Sequence, residues 1–313
     1  MNVLVTGGSG MVGQALKQLK PEWIYLSSKD VDLRNYTMAF NTTMSYNPKI
    51  IIHLAANVGG LFKNLNHQSE MLYDNLNINM NVVKVCGLMN IRLIACLSTC
   101  IFPDKIEYPI TEDKLHDGPP HPSNFGYAYA KRMMDVMCES YPRLNYTCII
   151  PCNIYGPHDN FNIKYGHVIP SLIHKAYLAK EQGTKLQVYG TGKPLRQFIY
   201  SGDVAKIIIQ ILLNNNYNRK RVILAPNEEY NIHYIVKFIA NAYQVEYEFD
   251  NDTNKDGQFK KTCMSEYNHN FTSLKDGLNK TMDWFDANYD RGQDPLYNPQ
   301  QIPSSVGHCI VRK

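Results

Sequence analysis

A doubly wound α/β architecture follows from three features of this 313-residue chain. Strand and helix signals alternate through its first half at the spacing of βαβ units. The strand signals are unbroken apolar runs, Ile50-Ile51-Ile52 being the clearest, as burial on both faces of a parallel sheet requires. A glycine-rich turn, Gly7-Gly8-Ser9-Gly10-Met11-Val12-Gly13, joins the first strand to the first helix. At roughly 100 to 200 residues per domain, the length gives one large or two intimate domains with ample core. Apolar residues at 44% and charged residues at 19% exclude a disordered chain. A formal charge of +4 is too small and too dispersed for a nucleic-acid partner. No apolar run reaches the roughly 18 to 20 residues of a membrane span, and the chain opens directly into Val3-Leu4-Val5 without a signal peptide. A cytoplasmic protein is therefore expected. In that reducing setting the eight cysteines read mainly as buried small hydrophobes, and no CxxC pair offers zinc spacing, so no metal is expected.

Taken in order, the predicted elements are strand 3–6, helix 11–19, strand 23–26, helix 37–45, strand 50–54, helix 70–89 and strand 92–98. A loop over 100–125, rich in Pro and Gly, precedes a helix over 126–141 and a strand over 148–151. Beyond residue 160 the pattern is less regular. Strands at 186–189, 198–200, 221–224 and 246–249 mix with helices at 168–180, 204–213, 232–243 and 274–288. This predicts a smaller mixed α/β lobe over the carboxyl ends of the sheet strands, where open α/β sheets bind ligands. The expected division is a nucleotide-binding domain over 1–160 with parts of 190–225, a substrate-binding lobe over 161–289, and an extended or disordered tail over 290–313 that lacks periodicity.

The turn spaces its glycines at 7, 10 and 13, so that the chain can bend tightly and let a pyrophosphate approach the backbone at a helix amino terminus. Gly7, Ser9, Gly10, Met11, Val12 and Gly13 are thus candidate contacts of a Rossmann-type dinucleotide site. After the second strand, Ser27, Ser28 and Lys29 offer hydroxyls and an ammonium, which suit a 2′-phosphate better than a carboxylate would. Ser28 and Lys29 therefore favour NADP(H), with Asp30 as the neighbour that would tip the preference toward NAD. Asp32, Leu33, Leu54, Ala55 and Ala56 are candidates to flank the adenine and cofactor backbone, although Leu54-Ala55-Ala56 reads equally as a packed strand end.

Tyr127 and Lys131 stand at i and i+4, on one face of a helix. A nearby ammonium is expected to lower a phenol pKa from about 10, bringing Tyr127 toward proton exchange with a ketone near neutral pH. Ser98, at the end of the fourth strand, can donate a second hydrogen bond to the same carbonyl oxygen. The turn, Ser98, Tyr127 and Lys131 together resemble the short-chain dehydrogenase/reductase superfamily in its extended, sugar-nucleotide-modifying branch. The resemblance narrows to the GDP-L-fucose synthase family on Asn57-Val58-Gly59-Gly60, the segments 98–103, 124–131, 151–161 and 166–170, Arg196-Gln197-Phe198, and the segment 256–261.

That resemblance implies NADPH-dependent conversion of GDP-4-keto-6-deoxy-D-mannose to GDP-L-fucose, by 3,5-epimerisation and then 4-keto reduction. It implies a reductase triad of Ser98, Tyr127 and Lys131, with Cys100 and His167 as the epimerisation acid/base pair, their individual roles left open. It places Pro151, Asn153, Ile154 and His167, with Tyr127 and Lys131, among the cofactor contacts. Lys175, Tyr189, Arg196 and Lys261, with Asn153 and His167, become nucleotide-sugar contacts, Tyr189 as a stacking platform for guanine or ribose. A homodimer paired through helices 70–89 and 126–141 is implied as well, with Met133, Met134, Met137 and Cys138 as an apolar stripe of which part must also face the sheet. Two other readings stay open: an enzyme of another 4-keto nucleotide sugar, and an NADP-binding protein without catalysis.

Overall fold

The computed structural model describes residues 2–289; the expected tail over 290–313, with Cys309, lies outside the described residues. The first half runs β1 (Val3–Thr6), α1 (Met11–Leu19), β2 (Ile24–Leu26), α2 (Tyr36–Tyr46), β3 (Ile50–His53), α3 (Leu61–Asn66), α4 (Gln68–Met89), β4 (Arg92–Cys96), α5 (Phe125–Ser140), β5 (Tyr146–Pro151) and β6 (Asn153–Tyr155). The second runs α6 (Val168–Gln182), β7 (Leu186–Val188), β8 (Leu195–Arg196), β9 (Phe198–Tyr200), α7 (Ser201–Leu212), β10 (Lys220–Leu224), β11 (Tyr230–Asn231), α8 (Ile232–Tyr243), β12 (Tyr247–Phe249) and α9 (Leu274–Asn288). Four elements, α3, β6, β8 and β11, were not expected, being too short to show a period.

The large sheet has the order β10-β5-β4-β3-β1-β2, and every pairing in it is parallel. All residues of β1, β3 and β5 are buried, which is why their sequences are apolar without alternation. Strand order reverses at β1, which pairs with β2 on one side and β3 on the other. Because parallel crossovers are right-handed, that reversal sends α1 to one face and α4 and α5 to the other. Helix α1 packs on α7, whereas α2, α4 and α5 pack in a row. The switch point thus opens between the carboxyl ends of β1 and β3, at Gly7 and Leu54.

A second core gathers Ile169, Leu172 and Ile173 of α6 with Ile235, Val236 and Ile239 of α8 and Leu278 and Phe285 of α9. Three two-stranded pairs, β6–β9, β7–β12 and β8–β11, surround it. The edge strand β10 is locked to α5 by a two-pronged ion pair, Arg221 Nε and Nη2 each donating at 2.8 Å to the buried Asp135 carboxylate. Among the described residues no helix is long and apolar enough to cross a membrane.

Candidate active site

The glycine turn is shaped as its sequence demands. Gly7 has φ +72°, and a Cβ there would lie 2.7 Å from the Ala55 amide nitrogen, so any larger residue would push β1 away from the segment after β3. Gly10 stands at the N-cap of α1, and no side chain caps that terminus, leaving its first-turn amides facing outward. Asp30, the residue expected to contest the cofactor preference, is turned back on its own loop. Its carboxylate accepts from the Ser27 amide at 2.7 Å and the Ser27 hydroxyl at 2.6 Å, bonds that lower its pKa. Ser28 and Lys29 remain exposed beside it. Asp32 is held by Arg34, which also reaches Asp74 at 3.3 Å. Leu33 and Leu54 pack against the core, and the Ala55 amide donates to Thr6 Oγ1 at 3.4 Å.

The β4 strand ends at Cys96, two residues before its predicted end: the Leu97 amide still reaches the Ile149 carbonyl at 2.8 Å, and from Ser98 the chain turns away into a tight 3-10 turn over Thr99–Ile101. Ser98 caps that turn, accepting from the Cys100 amide at 3.4 Å. The turn presents Ser98 and Cys100 into a cleft of about 290 Å³ that Tyr127 also lines. His167, exposed at the N-cap of α6, lines the opposite wall and makes no side-chain capping bond. Asn153, Ile154, Lys175, Tyr189, Arg196 and Lys261 complete the wall toward the smaller lobe. Lys131 lies beneath this surface, 2% exposed, and donates to the Cys96 carbonyl at 2.7 Å.

One expectation reverses. The phenol of Tyr127 is pushed up, not down: burial dominates, the neighbouring Cys100 and Cys96 add to it, and the Lys131 ammonium stands 5.9 Å from the ring centroid. Lys131 is itself lowered by the same burial.

Other residues at this site escaped sequence reasoning. His53, fully buried at the end of β3, bonds Thr6 Oγ1 at 2.7 Å through Nδ1 and Asn79 Oδ1 at 3.1 Å through Nε2. Asn79 in turn donates to the Ala130 carbonyl, next to Lys131. A histidine closing the run Ile50-Ile51-Ile52 was the available signal. Burial, and after it the Lys131 ammonium, lower the His53 pKa to about 3, so the ring is neutral. The segment before α3 braces the far wall: Gly60 donates from its amide to the Tyr165 carbonyl at 2.8 Å, and a Cβ on Gly60 would lie 2.1 Å from the Gly166 carbonyl oxygen. Asn64 donates to the Gly59 and Gly60 carbonyls, and so fixes this approach.

Lys175 is partly buried and not on a solvated helix face. Its ammonium lies 3.9 Å from the Tyr189 ring centroid, and burial lowers its pKa to about 8, opposed by Asp250 and reinforced by Lys255. Lys255, another residue missed from sequence, approaches the same ring at 4.8 Å and is paired with Asp250 at 2.6 Å. Tyr189 is therefore engaged by two ammonium groups, and by the edge of Phe62 at 5.7 Å, where an open stacking face was expected. Arg196 is lowered to about 10, chiefly by burial. Lys261 is lowered by burial too and interacts electrostatically with Cys100 and Arg196.

A doubly wound sheet with a glycine turn at its switch point, and a serine, tyrosine and lysine beside it, defines a nucleotide-cofactor oxidoreductase or epimerase. Residues 3–233 match the NAD dependent epimerase/dehydratase family. A GDP-L-fucose synthase of Dictyostelium discoideum is 43% identical over 92% of this chain and 96% of its own length. A probable GDP-L-fucose synthase of Drosophila melanogaster is 41% identical over 93% and 99%. The crystal structure of a GDP-L-fucose synthetase from Naegleria fowleri bound to NADP superposes with a TM-score of 0.83 at 41% identity, covering 92% of this chain and 93% of that one. The chain belongs to the NAD dependent epimerase/dehydratase family, and within it to the GDP-L-fucose synthases.

Proposed function

We propose that this enzyme uses NADPH to convert GDP-4-keto-6-deoxy-D-mannose to GDP-L-fucose, inverting C3 and C5 before reducing the 4-keto group. The observation that carries the reading is the meeting of two carbonyl-directed hydroxyls, Ser98 and Tyr127, with two proton-transfer groups, Cys100 and His167, in one cleft. The residues present fit the cofactor: the cradle at Gly7 that a Cβ would fill, the uncapped start of α1, and exposed Ser28 and Lys29 beside an Asp30 already bonded to Ser27. Bound NADPH supplies the hydride for reduction.

The protein does the rest. A 4-keto sugar is acidic at both carbons flanking its carbonyl, so one of Cys100 and His167 removes a proton and the other returns one to the opposite face. Charge that develops on O4 is held by the hydroxyls of Ser98 and Tyr127. The raised phenol pKa suits the final step in this direction, because Tyr127 must be protonated to deliver its proton to O4 as the ketone is reduced. Lys131, fixed on the Cys96 carbonyl, orients the Tyr127 side of the helix. Lys175, Arg196 and Lys261 face the diphosphate.

Product analysis by NMR tests this. Wild type should give GDP-L-fucose with NADPH oxidation, Tyr127→Phe should lose reduction, and Cys100→Ser should yield an unepimerised 4-reduced sugar. Reduction without inversion by the wild type would sink the epimerase reading.

The enzyme works as a homodimer in this reading, paired through the outer faces of α4 and α5. Tyr73, Met80 and Leu88 of α4 and Phe125, Met133 and Val136 of α5 are exposed apolar residues there. Met134 and Cys138 are fully buried in the sheet core, the part of the stripe that the sheet claims, so the outward row is Met133 and Val136. Leu88→Lys combined with Met133→Lys should give a monomer by sedimentation; a wild-type monomer at micromolar concentration would refute the pairing.

A further inference from the structure

Between Asp256 and Ser273 the chain carries no helix or strand, only a single bridge from Cys263 to Ile110. Yet this irregular segment delivers Lys261 into the cleft. Main-chain bonds hold it in part, from the Leu195 amide to the Phe259 carbonyl and between Ile110 and both Thr262 and Met264, each at 2.9 Å, and a further hold runs through a buried side chain that does not line the cleft. Gln197 is 1% exposed. Its Nε2 donates to the Cys263 carbonyl at 2.9 Å and to the Pro226 carbonyl at 2.7 Å, and its Oε1 accepts from the Cys263 amide at 2.8 Å. Both main-chain groups of Cys263 are thus paired by one carboxamide, which stands in for a neighbouring strand. The main-chain carbonyl of Gln197 itself accepts from Asn153 Nδ2 at 2.8 Å, and Arg196 immediately precedes Gln197.

We infer that Gln197 is a positioning residue for the diphosphate grip: it clamps the Lys261 segment against the strand that carries Arg196, so that the two cations meet one ligand at a fixed separation. This rests on the reading of Arg196 and Lys261 as diphosphate contacts. The amide is chemically specific to the task. Two carbonyl oxygens and one N–H converge on it, a set that needs two donated hydrogens and one acceptor. A carboxylate of the same length would set a negative charge against two carbonyls, and an apolar side chain would leave three buried main-chain groups unpaired. Without the clamp, Cys263, two residues from Lys261, would lose both of its main-chain bonds to Gln197 and leave the bonds at Phe259, Thr262 and Met264 to hold the segment, so part of the entropy of fixing Lys261 would fall on its phosphate contact.

The test uses GDP and NADP as separate calorimetric probes of the whole enzyme. In Gln197→Met, which keeps the volume and removes all three bonds, the Kd for GDP should rise about tenfold, the loss expected for one charge-assisted contact. The Kd for NADP should stay within about twofold, as the glycine turn at the switch point shares no bonding partner with the Gln197 side chain. KM for the nucleotide sugar should rise more than kcat falls. In Gln197→Glu the ratio of variant to wild-type Kd for GDP should shrink as pH falls from 8 to 6, because a protonated carboxyl regains a donor. That pH-dependent ratio serves if Gln197→Met does not fold. Arg196→Met and Lys261→Met are the controls. If both bind GDP like the wild type, the diphosphate reading fails and the clamp with it. If they weaken GDP but Gln197→Met does not, or the Gln197→Glu ratio is flat with pH, the clamp alone is overturned.

Discussion

With Lys175 gripping the diphosphate as proposed, the affinity of this enzyme for its nucleotide should depend on pH in a range where most lysines do not titrate. Burial is the main cause of its low pKa, Lys255 adds to it and Asp250 opposes it, leaving a value of about 8. At pH 7 about nine-tenths of Lys175 carries charge, and at pH 9 about one-tenth does. Binding that requires the ammonium therefore weakens about tenfold between the two, or about 1.4 kcal/mol. The sign follows from lysine losing its proton as pH rises: the contact is present below 8 and lost above it. A terminal phosphate is ionised at both pH 7 and pH 9, so the phosphates add little slope between them. Calorimetry with GDP at half-unit steps from pH 6.5 to 9.5 reads the effect directly. Lys175→Met should bind more weakly at pH 7 and show a flat profile. A wild-type affinity that does not change across pH 8, or a slope that survives in Lys175→Met, would refute the assignment; a slope abolished only in Lys261→Met would transfer it to that residue.

Two further outcomes follow from the buried geometry. His53 has a folded pKa of about 3, against about 6.5 for an unfolded chain, so unfolding takes up a proton below 6.5 and stability falls as pH drops through that window. Chemical denaturation should lose about 2 kcal/mol from this group between pH 7 and 5, and a stability that holds constant over that interval would contradict a neutral buried ring. Gly60→Ala should destabilise the protein by about 1–3 kcal/mol, because the added methyl would meet the Gly166 carbonyl, and should slow epimerisation by shifting the segment that carries His167; an unchanged denaturation midpoint would show that the two loops yield.

The parallel sheet was legible because double burial leaves an unbroken apolar signature, and Ile50-Ile51-Ile52 sits in the middle of it. Helices α1, α8 and α9 were legible to within a residue, since each begins at a residue with a clear local reason: Gly10 after the glycine turn, and Asn231 and Ser273 as side-chain caps. Short α3 and β6 were hidden because neither is long enough to display a period, although both shape the cleft. The pKa of Tyr127 was read in the wrong direction for a related reason. Spacing shows that Lys131 shares its helix face but not how deeply both are buried, and burial outweighs the charge. Gln197 and His53 act through partners far away in sequence, Cys263 and Asn79, so the local sequence, even a histidine closing an isoleucine run, does not show what they hold.

The strand β10 closes the outer edge of the large sheet, although it is made long after the chain has left that sheet to build α6 and its neighbours. As the polypeptide emerges during synthesis, β5 must therefore wait with a row of unpaired amides and carbonyls along a strand that is fully buried in the finished fold. That interval is when the nascent protein is most open to pairing with another copy, and it ends only when Arg221 arrives to meet Asp135. Substitutions at either member of that pair should accordingly lower the yield of soluble protein more than they lower the stability of molecules that have already folded.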